Sequence, residues 1–435
     1  MSIARDDRRY TLNMVDSAVV EHTIAEKLEA ARAASRTLST LTTVHKNAAL
    51  SAIARGVAAN AEKIIAANAL DLERGASNGM AEGLQDRLRL TQARIDQLSA
   101  AVLEIIELAD PVGTVVRGSV LPNGLSVSQV RVPFGVIGAI YEARPNVTID
   151  IAALALKSGN AVVLRGGSDA ENSNRVLVDI IQAALQSVGV ASTAVQTVDE
   201  FGRDGAKALM QARGFVDVLI PRGSAQLIQT VVQESTVPVI ETGAGIVHVF
   251  LDESADKTTA IEIVHNAKVQ RPSVCNALET LLVHEAAAER LIPGVLARLA
   301  DAGVTIHADE RTRQLFPQAL EAGDDAWSVE HLSLDISVRV VADLDAAIDH
   351  ITTYSTKHTE SIITNDLANA DRFLAEVDSA VVMVNASTRF TDGAEFGFGA
   401  EVGISTQKLH ARGPMGLPEL TSTKWVVRGS GQVRG

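Results

Sequence analysis

The chain has 435 residues, of which 46% are hydrophobic, and its 39 basic and 53 acidic side chains give a formal net charge of −14. This length predicts two or three lobes with sizeable cores, and the negative charge disfavours nucleic acid as a partner because phosphate backbones would be repelled. The sequence contains no apolar run of the ~18 residues that a membrane span requires and, within residues 1–30, no apolar core of a secretory signal, so we expect a cytoplasmic protein without a membrane partner.

Helices are predicted for the first third of the chain, because apolar residues recur there at spacings of three and four. Two such runs are Val20–Leu38 and Ile95–Ile105, whereas the polar segment 1–15 is expected to lack order. Residues 114–132 are rich in β-forming side chains and are broken by the turn Pro122–Gly124, where Asn and Gly accept positive φ. We expect a β-ribbon there.

From Val136 onward, short apolar strands alternate with helical segments, which is typical of parallel strands joined by helical crossovers. The predicted strands are VIGAIY, AVVL, VDVLIP, VPVIE and IVHVFLD, followed after Cys275 by ALETLLVH, VTIHAD, ISVRVVAD, ESIIT and AVVMVNA. The sequence therefore predicts an α/β fold of two doubly wound lobes with Cys275 at their junction, where ligands usually bind. The segment 421–430 reads as a strand without an evident partner in its own lobe, and we expect it to pair with another edge, such as one on a second subunit.

Cys275 is the only cysteine, so it forms no intramolecular disulfide and is free for chemistry or for packing. It follows Arg271 and Pro272, and nearby cations with backbone N–H groups would lower the pKa of its thiol from about 8.5. The ordinary alternative for a lone cysteine is a small buried hydrophobic residue. The motifs GxGxxG, GxxxxGK[ST], HExxH and GxSxG are absent, and the ten histidines do not fall at metal-ligand spacing, so no metal is predicted.

The cysteine loop, NAKVQRPSVCNALE, is accompanied by four other segments of a recognisable kind. They are VRVPFGVIGAIYEARPN, GNAVVLRGGSD, IPRGSAQ and ETGAG. Together these segments resemble the aldehyde dehydrogenase superfamily, over residues 15–428. A narrower match is carried by LRGGS, LIPRG, the cysteine loop and a closing block (Val384–Leu417, from VNASTRFTDG through GAEVGISTQKLHARGPMGL), and it is to members of the superfamily that reduce an acyl phosphate.

The resemblance implies an aldehyde-dehydrogenase-like fold of two doubly wound α/β lobes with a β-ribbon oligomerisation element. Residues 1–118 and 137–265 would form an NADPH-binding domain, 266–414 a catalytic domain that contains Cys275, and 119–136 with 415–435 the oligomerisation element.

The resemblance also implies the catalytic residues and the substrate residues. Cys275 matches the nucleophile, and Asn146 matches the asparagine whose amide, with the cysteine's own N–H, stabilises the oxyanion. Without the resemblance, an Asn at this place would be an ordinary helix cap. A substrate with a carboxylate and a phosphate requires cations near the thiol, and Arg271 and Arg389 are the candidates, although each could be a surface charge.

The expected cofactor residues follow from the same resemblance. They are Arg165, Gly166, Gly167, Ser168, Gly223, Ser224, Glu241 and Asp335. The first four would follow a strand and present N–H groups to the cofactor phosphates, and the guanidinium of Arg165 favours the 2′-phosphate of NADPH. Ser224 would open a helix whose N-terminus accepts an anion, and Asp335 would hold the nicotinamide ribose. Glu241 matches the carboxylate that activates water in hydrolytic relatives, but ETGAG departs from their Glu-Leu-Gly-Gly, so Glu241 is expected to shape the site.

The activity that the resemblance implies is the NADPH-dependent reduction of L-glutamyl 5-phosphate to L-glutamate 5-semialdehyde and phosphate through a Cys275 thioester, which is the second step of proline biosynthesis from glutamate. The enzyme would be a homo-oligomer coupled functionally to a glutamate kinase. One alternative is an aldehyde dehydrogenase that oxidises aldehydes with coenzyme A or water. The other is a catalytically silent relative that keeps the fold as a binding module.

Overall fold

The structure is a computed structural model that describes residues 18–434, with side chains from Thr23 onward. The segment 1–15, which we expected to lack order, lies outside the described residues. The described chain begins with five helices. The first helix contacts the first of two parallel sheets, and apolar residues of the first, second, third and fifth contribute to the core of that lobe. The five helices are α1 (Ala18–Leu38), α2 (Thr43–Ala59), α3 (Ala61–Ser77), α4 (Glu82–Leu88) and α5 (Gln92–Glu107).

A β-hairpin follows these helices, formed by β1 (Val115–Val120) and β2 (Ser126–Pro133). Gly124 in its turn has φ +85°, a conformation that glycine adopts without steric cost. The ribbon predicted for this part of the chain is confirmed.

The first α/β unit contains a parallel sheet with the order β5-β4-β3-β6. Every residue of its central strand β3 is buried, as expected for a parallel sheet covered by helices on both faces. The elements are β3 (Val136–Tyr141), α6 (Asn146–Lys157), β4 (Ala161–Gly166), α7 (Glu171–Ser187), β5 (Val195–Thr197), α8 (Gly202–Met210), β6 (Val218–Arg222) and α9 (Ala225–Glu234).

The second unit contains a parallel sheet with the order β10-β9-β11-β8-β7-β12-β13. Helices α10 and α11 pack together against this sheet and help to form its core. The elements are β7 (Val247–Leu251), α10 (Lys257–Val269), β8 (Leu278–His284), α11 (Glu285–Asp301), β9 (Thr305–Ala308), α12 (Glu310–Leu315), β10 (Leu320–Glu321), β11 (Asp335–Val341), α13 (Leu344–Tyr354), β12 (Thr359–Ile363), α14 (Leu367–Glu376) and β13 (Val381–Val384).

Two expectations about the first lobe are wrong. VPVIE forms no strand, and only Val239 makes an isolated bridge, to Leu219. IVHVFLD forms β7, but this strand pairs with β8 and β12 in the second sheet, and Val264 of α10 lies in the second core. The chain therefore crosses between the lobes before β7, so the boundary expected at residue 265 is too late.

The last part of the chain returns to the ribbon. After the short strands β14 (Gly403–Ser405) and β15 (Gly413–Met415), strand β16 (Thr421–Arg428) pairs antiparallel with β2 along its whole length. The strand thus pairs with another edge, as expected, and that edge is β2 of the same chain. The ribbon begins at Val115, in agreement with the predicted β-rich segment 114–132 but before residue 119, where the oligomerisation element was expected to begin. Between residues 18 and 434, the chain has no helix that combines the length and the apolar character of a membrane span.

Candidate active site

Cys275 lies in the loop between α10 and β8, at the amino end of the second sheet. The next residue holds this loop in place. Asn276 donates its amide to the carbonyl of Thr391 at 2.8 Å, and its own carbonyl accepts from Thr388 Oγ1 at 2.8 Å. Arg87 of α4 reaches the same loop and donates to the carbonyl of Ser273 at 3.2 Å. The cysteine is therefore held by its own lobe and contacted by the helical region.

The backbone of Gly245, the last residue of ETGAG, packs directly against the cysteine. A Cβ atom at this position would lie 1.6 Å from the carbonyl oxygen of Cys275. The N–H of Gly245 also donates to Glu330 Oε1 at 2.6 Å. A side chain at this position would move the nucleophile, which gives ETGAG a role that does not depend on Glu241.

The expectation that the Cys275 thiol has a lowered pKa is wrong. Desolvation, together with the carboxylates of Glu401 and Glu330, raises its pKa to about 11 in spite of the lowering effect of Arg222 and Arg144. Burial and two carboxylates thus outweigh the cations. The thiol must lose its proton to another group before it can act as a nucleophile.

Asn146 is the first residue of α6, and it does not cap this helix, since Pro145 is the cap residue. Its Nδ2 donates to Asp150 Oδ2 at 3.0 Å, one turn along the helix. Desolvation raises the pKa of Asp150 to about 6, while the hydrogen bond from Asn146 and the charge of Arg222 lower it. An amide nitrogen has two hydrogens, so one remains for an oxyanion.

Five arginines lie near the thiol, and we call them the arginine cluster. The pKa of Arg144 is lowered by desolvation and by Arg222, Arg87 and Arg271, and it is raised by Cys275. The pKa of Arg389 is lowered by desolvation and by Arg271, and it is raised by Asp392 and Cys275. Of the two predicted substrate residues, Arg389 therefore lies close enough to Cys275 to interact with its charge, and Arg271 interacts with Arg144 and Arg389. The members are Arg87, Arg144, Arg222, Arg271 and Arg389.

The predicted cofactor loop lies at the carboxyl end of β4, but its first two residues belong to the strand. The N–H of Gly166 donates to Asp199 Oδ1 at 2.6 Å, so in this structure that donor is already engaged. A Cβ atom on Gly166 would lie 2.0 Å from Nδ2 of Asn174, so this glycine is needed for packing. Burial raises the pKa of Asp199 to about 6. The guanidinium of Arg165 donates to the carbonyls of Gly166 at 2.6 Å and Gly202 at 3.2 Å.

A helix from the first lobe supports the rest of this loop. Arg74 of α3 donates to the carbonyl of Ser168 at 2.5 Å. The buried carboxylate of Asp71 accepts from the N–H and the hydroxyl of Ser173 at 2.8 and 2.7 Å. Gly167 approaches the β3–α6 turn so closely that a Cβ atom would lie 3.3 Å from the nitrogen of Ala143. The loop between β4 and α7 is thus fixed on both sides.

The N-terminus of α9 already has an anion beside it. Ser224 is the cap residue, and its N–H donates to Glu142 Oε2 at 2.7 Å. A Cβ atom on Gly223 would lie 2.5 Å from the same carboxylate oxygen. The predicted phosphate position at Gly223 and Ser224 is therefore an anion site by geometry, and in this structure the side chain of Glu142 fills it.

Neither of the two predicted carboxylates is among the acids that most affect the pKa of Cys275. Glu241 Oε1 accepts from Gln229 of α9 at 3.4 Å. Asp335 bonds to His307 Nε2 at 2.9 Å and accepts from Ser333 Oγ at 2.7 Å, and the bond to His307 is the main reason for its lowered pKa. The roles of both residues stay predictions.

Two carboxylates that raise the pKa of the Cys275 thiol were not predicted from the sequence. Glu330 lies before β11, and Glu401 lies in the closing block, where Oε2 accepts from the N–H of Gly393 at 2.9 Å. Burial raises the pKa of both. Glu401 and Arg222 lie inside the segments GAEVG and IPRG that carried the resemblance, whereas no motif singled out Glu330.

The comparisons with known proteins agree with this geometry. The model of the aldehyde dehydrogenase family matches residues 11–319. A gamma-glutamyl phosphate reductase of Leifsonia xyli subsp. xyli is 67% identical over 94% of this chain and 98% of that protein, and one of Thermobifida fusca is 59% identical over 95% and 99%. The crystal structure of gamma-glutamyl phosphate reductase from Thermotoga maritima is 46% identical, covers 95% of this chain and 100% of that chain, and has a TM-score of 0.93. An acetylating aldehyde dehydrogenase from Geobacillus thermoglucosidasius, 17% identical with a TM-score of 0.69, shares the fold.

Proposed function

The chain belongs to the aldehyde dehydrogenase family and to the gamma-glutamyl phosphate reductases within it, and on that premise we propose that it reduces L-glutamyl 5-phosphate to L-glutamate 5-semialdehyde with NADPH through a Cys275 thioester. The protein is an oxidoreductase, and its place is the proline-biosynthesis step that the name of its relatives implies. The observation that carries the proposal is the arginine cluster around a thiol at the junction of two parallel sheets.

The protein's own groups account for the acyl-transfer step. The Cys275 thiol gives up its proton, and the thiolate attacks the acyl carbon, while the oxyanion accepts hydrogen bonds from Asn146 and from the N–H of Cys275. The bond from carbon to the phosphate oxygen then breaks, and its electron pair and one proton leave with the phosphate. A thioester on Cys275 remains.

The bound NADPH supplies the hydride that reduces this thioester. The bond from carbon to Sγ then breaks, the aldehyde is released, and the Cys275 thiolate takes up a proton from solvent. The sum is one acyl phosphate, one hydride and one proton consumed for one aldehyde and one phosphate. No water takes part in the step, so no general base is needed to activate one. Glu241, which accepts from Gln229, therefore has no such role in the proposed reaction.

The residues at the carboxyl end of the first sheet fit the cofactor. Arg165 donates two hydrogen bonds to backbone carbonyls, and a guanidinium has five N–H groups, so three are left for a 2′-phosphate. Gly167 and Ser168 continue from it into a loop that α3 holds in place. The N–H of Ser224 can bind a phosphate once Glu142 moves aside. We therefore propose that this end of the sheet binds NADPH, with Arg165 as the residue that favours it over NADH.

We also propose a homo-oligomer built through the ribbon. Val120, Trp425 and Val427 expose large apolar side chains there. In the described part of the chain, β16 pairs on one side only, which leaves an edge for a second subunit. The lone free thiol and the reductive chemistry fit a reducing compartment, the cytoplasm. Because an acyl phosphate is labile in water, functional coupling to the glutamate kinase that would supply it is part of the proposal.

The reverse reaction tests the proposed function. Purified protein is given glutamate 5-semialdehyde and NADP⁺, and the absorbance of reduced cofactor is followed with and without inorganic phosphate. We expect reduction of NADP⁺ that requires phosphate and is abolished in Cys275→Ala. Turnover that ignores phosphate would select the hydrolytic alternative, and a demand for coenzyme A would select the acylating one. No turnover by a folded protein would select the silent relative.

A further inference from the structure

Two members of the arginine cluster, Arg144 and Arg222, have guanidinium groups without a partner in the described part of the chain. Within the described residues, neither guanidinium group donates a hydrogen bond to a protein atom or forms an ion pair. Among the described residues Arg271 shares this property, whereas Arg389 donates to Gln270 Oε1 at 2.8 Å and Arg87 donates to Ser273. A guanidinium that lies beside a nucleophile without a partner is available to an anionic ligand.

The fold directs both residues to one point. Arg222 ends β6 and Arg144 follows β3, and these two parallel strands are neighbours in the first sheet. The N–H of Glu142 donates to the carbonyl of Arg222 at 3.1 Å, which ties the two strand ends together. Ligands of open α/β sheets bind at the carboxyl ends of strands. The N-terminus of α6, which favours negative charge, begins at Asn146 in the same place.

The closing block makes room for the guanidinium of Arg222. A Cβ atom on Gly403 would lie 2.5 Å from Nη1 of Arg222, so any larger residue would push this group away. Gly403 begins β14, which pairs with β15, and Ser405 of β14 bridges to Thr242. The backbone of β14 thus limits where this guanidinium can lie.

The charges around these arginines favour an anion between them and the thiol. Arg222 is the cation that most lowers the pKa of Cys275, followed by Arg144. Arg144 is itself crowded by Arg222, Arg87 and Arg271, which is unfavourable for like charges. The nearby acids are engaged elsewhere by hydrogen bonds, namely Glu330 with Gly245, Glu401 with Gly393 and Asp150 with Asn146.

We propose that Arg222 and Arg144 bind the phosphoryl group of the acyl phosphate and, in the reverse direction, inorganic phosphate. This inference rests on the proposed function and deepens it. The phosphate is joined to the carbon that Cys275 attacks, so its site must adjoin the sulfur. The substrate carboxylate lies several bonds away, which leaves Arg271 and Arg389 for that end. As the bond from carbon to oxygen breaks, the departing oxygen gains charge that the two guanidinium groups stabilise.

The experiment measures the KM for inorganic phosphate in the reverse reaction, together with the KM values for NADP⁺ and the semialdehyde. The variants are Arg222→Gln, Arg222→Lys and Arg144→Gln. The matched control is Arg213→Gln, at an exposed arginine that precedes the same strand. We expect Arg222→Gln to raise the KM for phosphate by about 10- to 100-fold. Arg222→Lys should raise it less, because lysine keeps the charge but loses the two-pronged geometry.

The selectivity of the effect separates binding of phosphate from general damage. The KM values for NADP⁺ and the semialdehyde should stay within about threefold of the unmodified protein. Phosphate should also protect Cys275 from iodoacetamide in the unmodified protein and in Arg213→Gln, but far less in Arg222→Gln and Arg144→Gln. This second measurement needs no turnover, so it remains informative if a variant is inactive.

Two results would overturn the inference while the proposed function stands. In the first, Arg222→Gln and Arg144→Gln leave the KM for phosphate at the value of the control. In the second, all three KM values rise together, which would mean that Arg222 and Arg144 support the fold of the site. A requirement for phosphate in the unmodified protein keeps the proposed function in either case, whereas its absence there would overturn both.

Discussion

The two sheets meet at the active site in different ways. The second sheet contributes the amino ends of β7 and β8, and the groups there are joined to one another: Asn276 to Thr391, Glu330 to Gly245, and Glu279 to the buried Lys268 at 3.0 Å. The first sheet contributes the carboxyl ends of β3 and β6, where the guanidinium groups of Arg144 and Arg222 bond to no protein group in the described chain.

This difference separates two tasks. A nucleophile must be held within a fraction of an ångström, and the hydrogen bonds on the side of the second sheet hold it. A ligand needs polar groups that have no partner within the protein, and the first sheet supplies such groups. The side that holds Cys275 should therefore respond to substitution with losses of stability or of kcat, whereas the other side should respond with changes in binding.

The largest expected effect is on the side of the second sheet, at Lys268. Its ion pair with Glu279 is fully buried, and Glu279 also accepts from the N–H groups of His331 and Leu332. Lys268→Met leaves a buried carboxylate without its cation, which should lower the free energy of unfolding by about 3–5 kcal/mol. Urea unfolding measures this change. Lys257→Met, at an exposed position of the same helix, should change it by less than about 0.5 kcal/mol.

Gly245→Ala tests how tightly the cysteine is held. The new Cβ would lie 1.6 Å from the Cys275 carbonyl, so the loop must move, and a shift of this size should lower kcat by about 100-fold. The KM for NADP⁺ should change little. Gly83→Ala is the control, since nothing lies within 4 Å of the Cβ at that position. An unchanged kcat in Gly245→Ala would show that the packing does not position the nucleophile.

The reactivity of Cys275 should depend on pH in a direction that the pKa fixes. Because desolvation raises the thiol pKa to about 11, the thiolate fraction at pH 8 is small. The rate of alkylation by iodoacetamide should rise about tenfold for each pH unit from 8 to 10. Glu401→Gln should increase the rate at pH 8, because it removes a carboxylate that raises this pKa. A rate that levels off below pH 9 would contradict the assignment.

A smaller effect is expected where the first sheet binds the cofactor. Glu142→Gln removes the carboxylate that occupies the N-terminus of α9, so a phosphate no longer competes with it. The dissociation constant of NADP⁺, measured by calorimetry, should fall by about three- to tenfold. Glu234→Gln, at the other end of the same helix, should leave it unchanged. Weaker binding in Glu142→Gln would mean that the carboxylate organises the site.

The smallest effect is expected at Glu241. Its carboxylate faces Gln229, and reduction of an acyl phosphate uses no water. Glu241→Gln should leave the rate of acyl-phosphate reduction within about threefold of the original. A loss of several orders of magnitude would show that Glu241 acts on the reacting groups, contrary to this prediction.

The sequence predicted those features that depend on local pattern. The buried run VIGAIY is bounded by turn residues and forms β3 with the expected limits, and the turn at Gly124 has the expected positive φ. The hydrophobic pattern of IVHVFLD also predicts a strand, but such a pattern does not determine which sheet the strand joins. In the structure, β7 lies in the second sheet.

The candidate site shows the same division. The resemblance predicted Cys275, Asn146, Arg271 and Arg389 as site residues from the segments in which they lie, and the structure adds that Arg389 interacts with the charge of Cys275. The direction of the thiol pKa depends on burial and on Glu330 and Glu401, which lie 55 and 126 positions further along the chain, so only the fold reveals it. The acid at the N-terminus of α9 is Glu142, which lies in the turn between β3 and α6. No spacing in the sequence connects it with Ser224.

The ribbon has a consequence for how the molecule is made. Gln129 of β2 donates to Thr423 of β16, a residue 294 positions later in the chain. At the ~5–20 residues per second of protein synthesis, the β1–β2 hairpin waits about 15–60 s for its third strand. Its apolar face stays incomplete during that time. If subunits associate through the ribbon as proposed, only chains translated beyond residue 428 can enter the oligomer, and truncated products are left out.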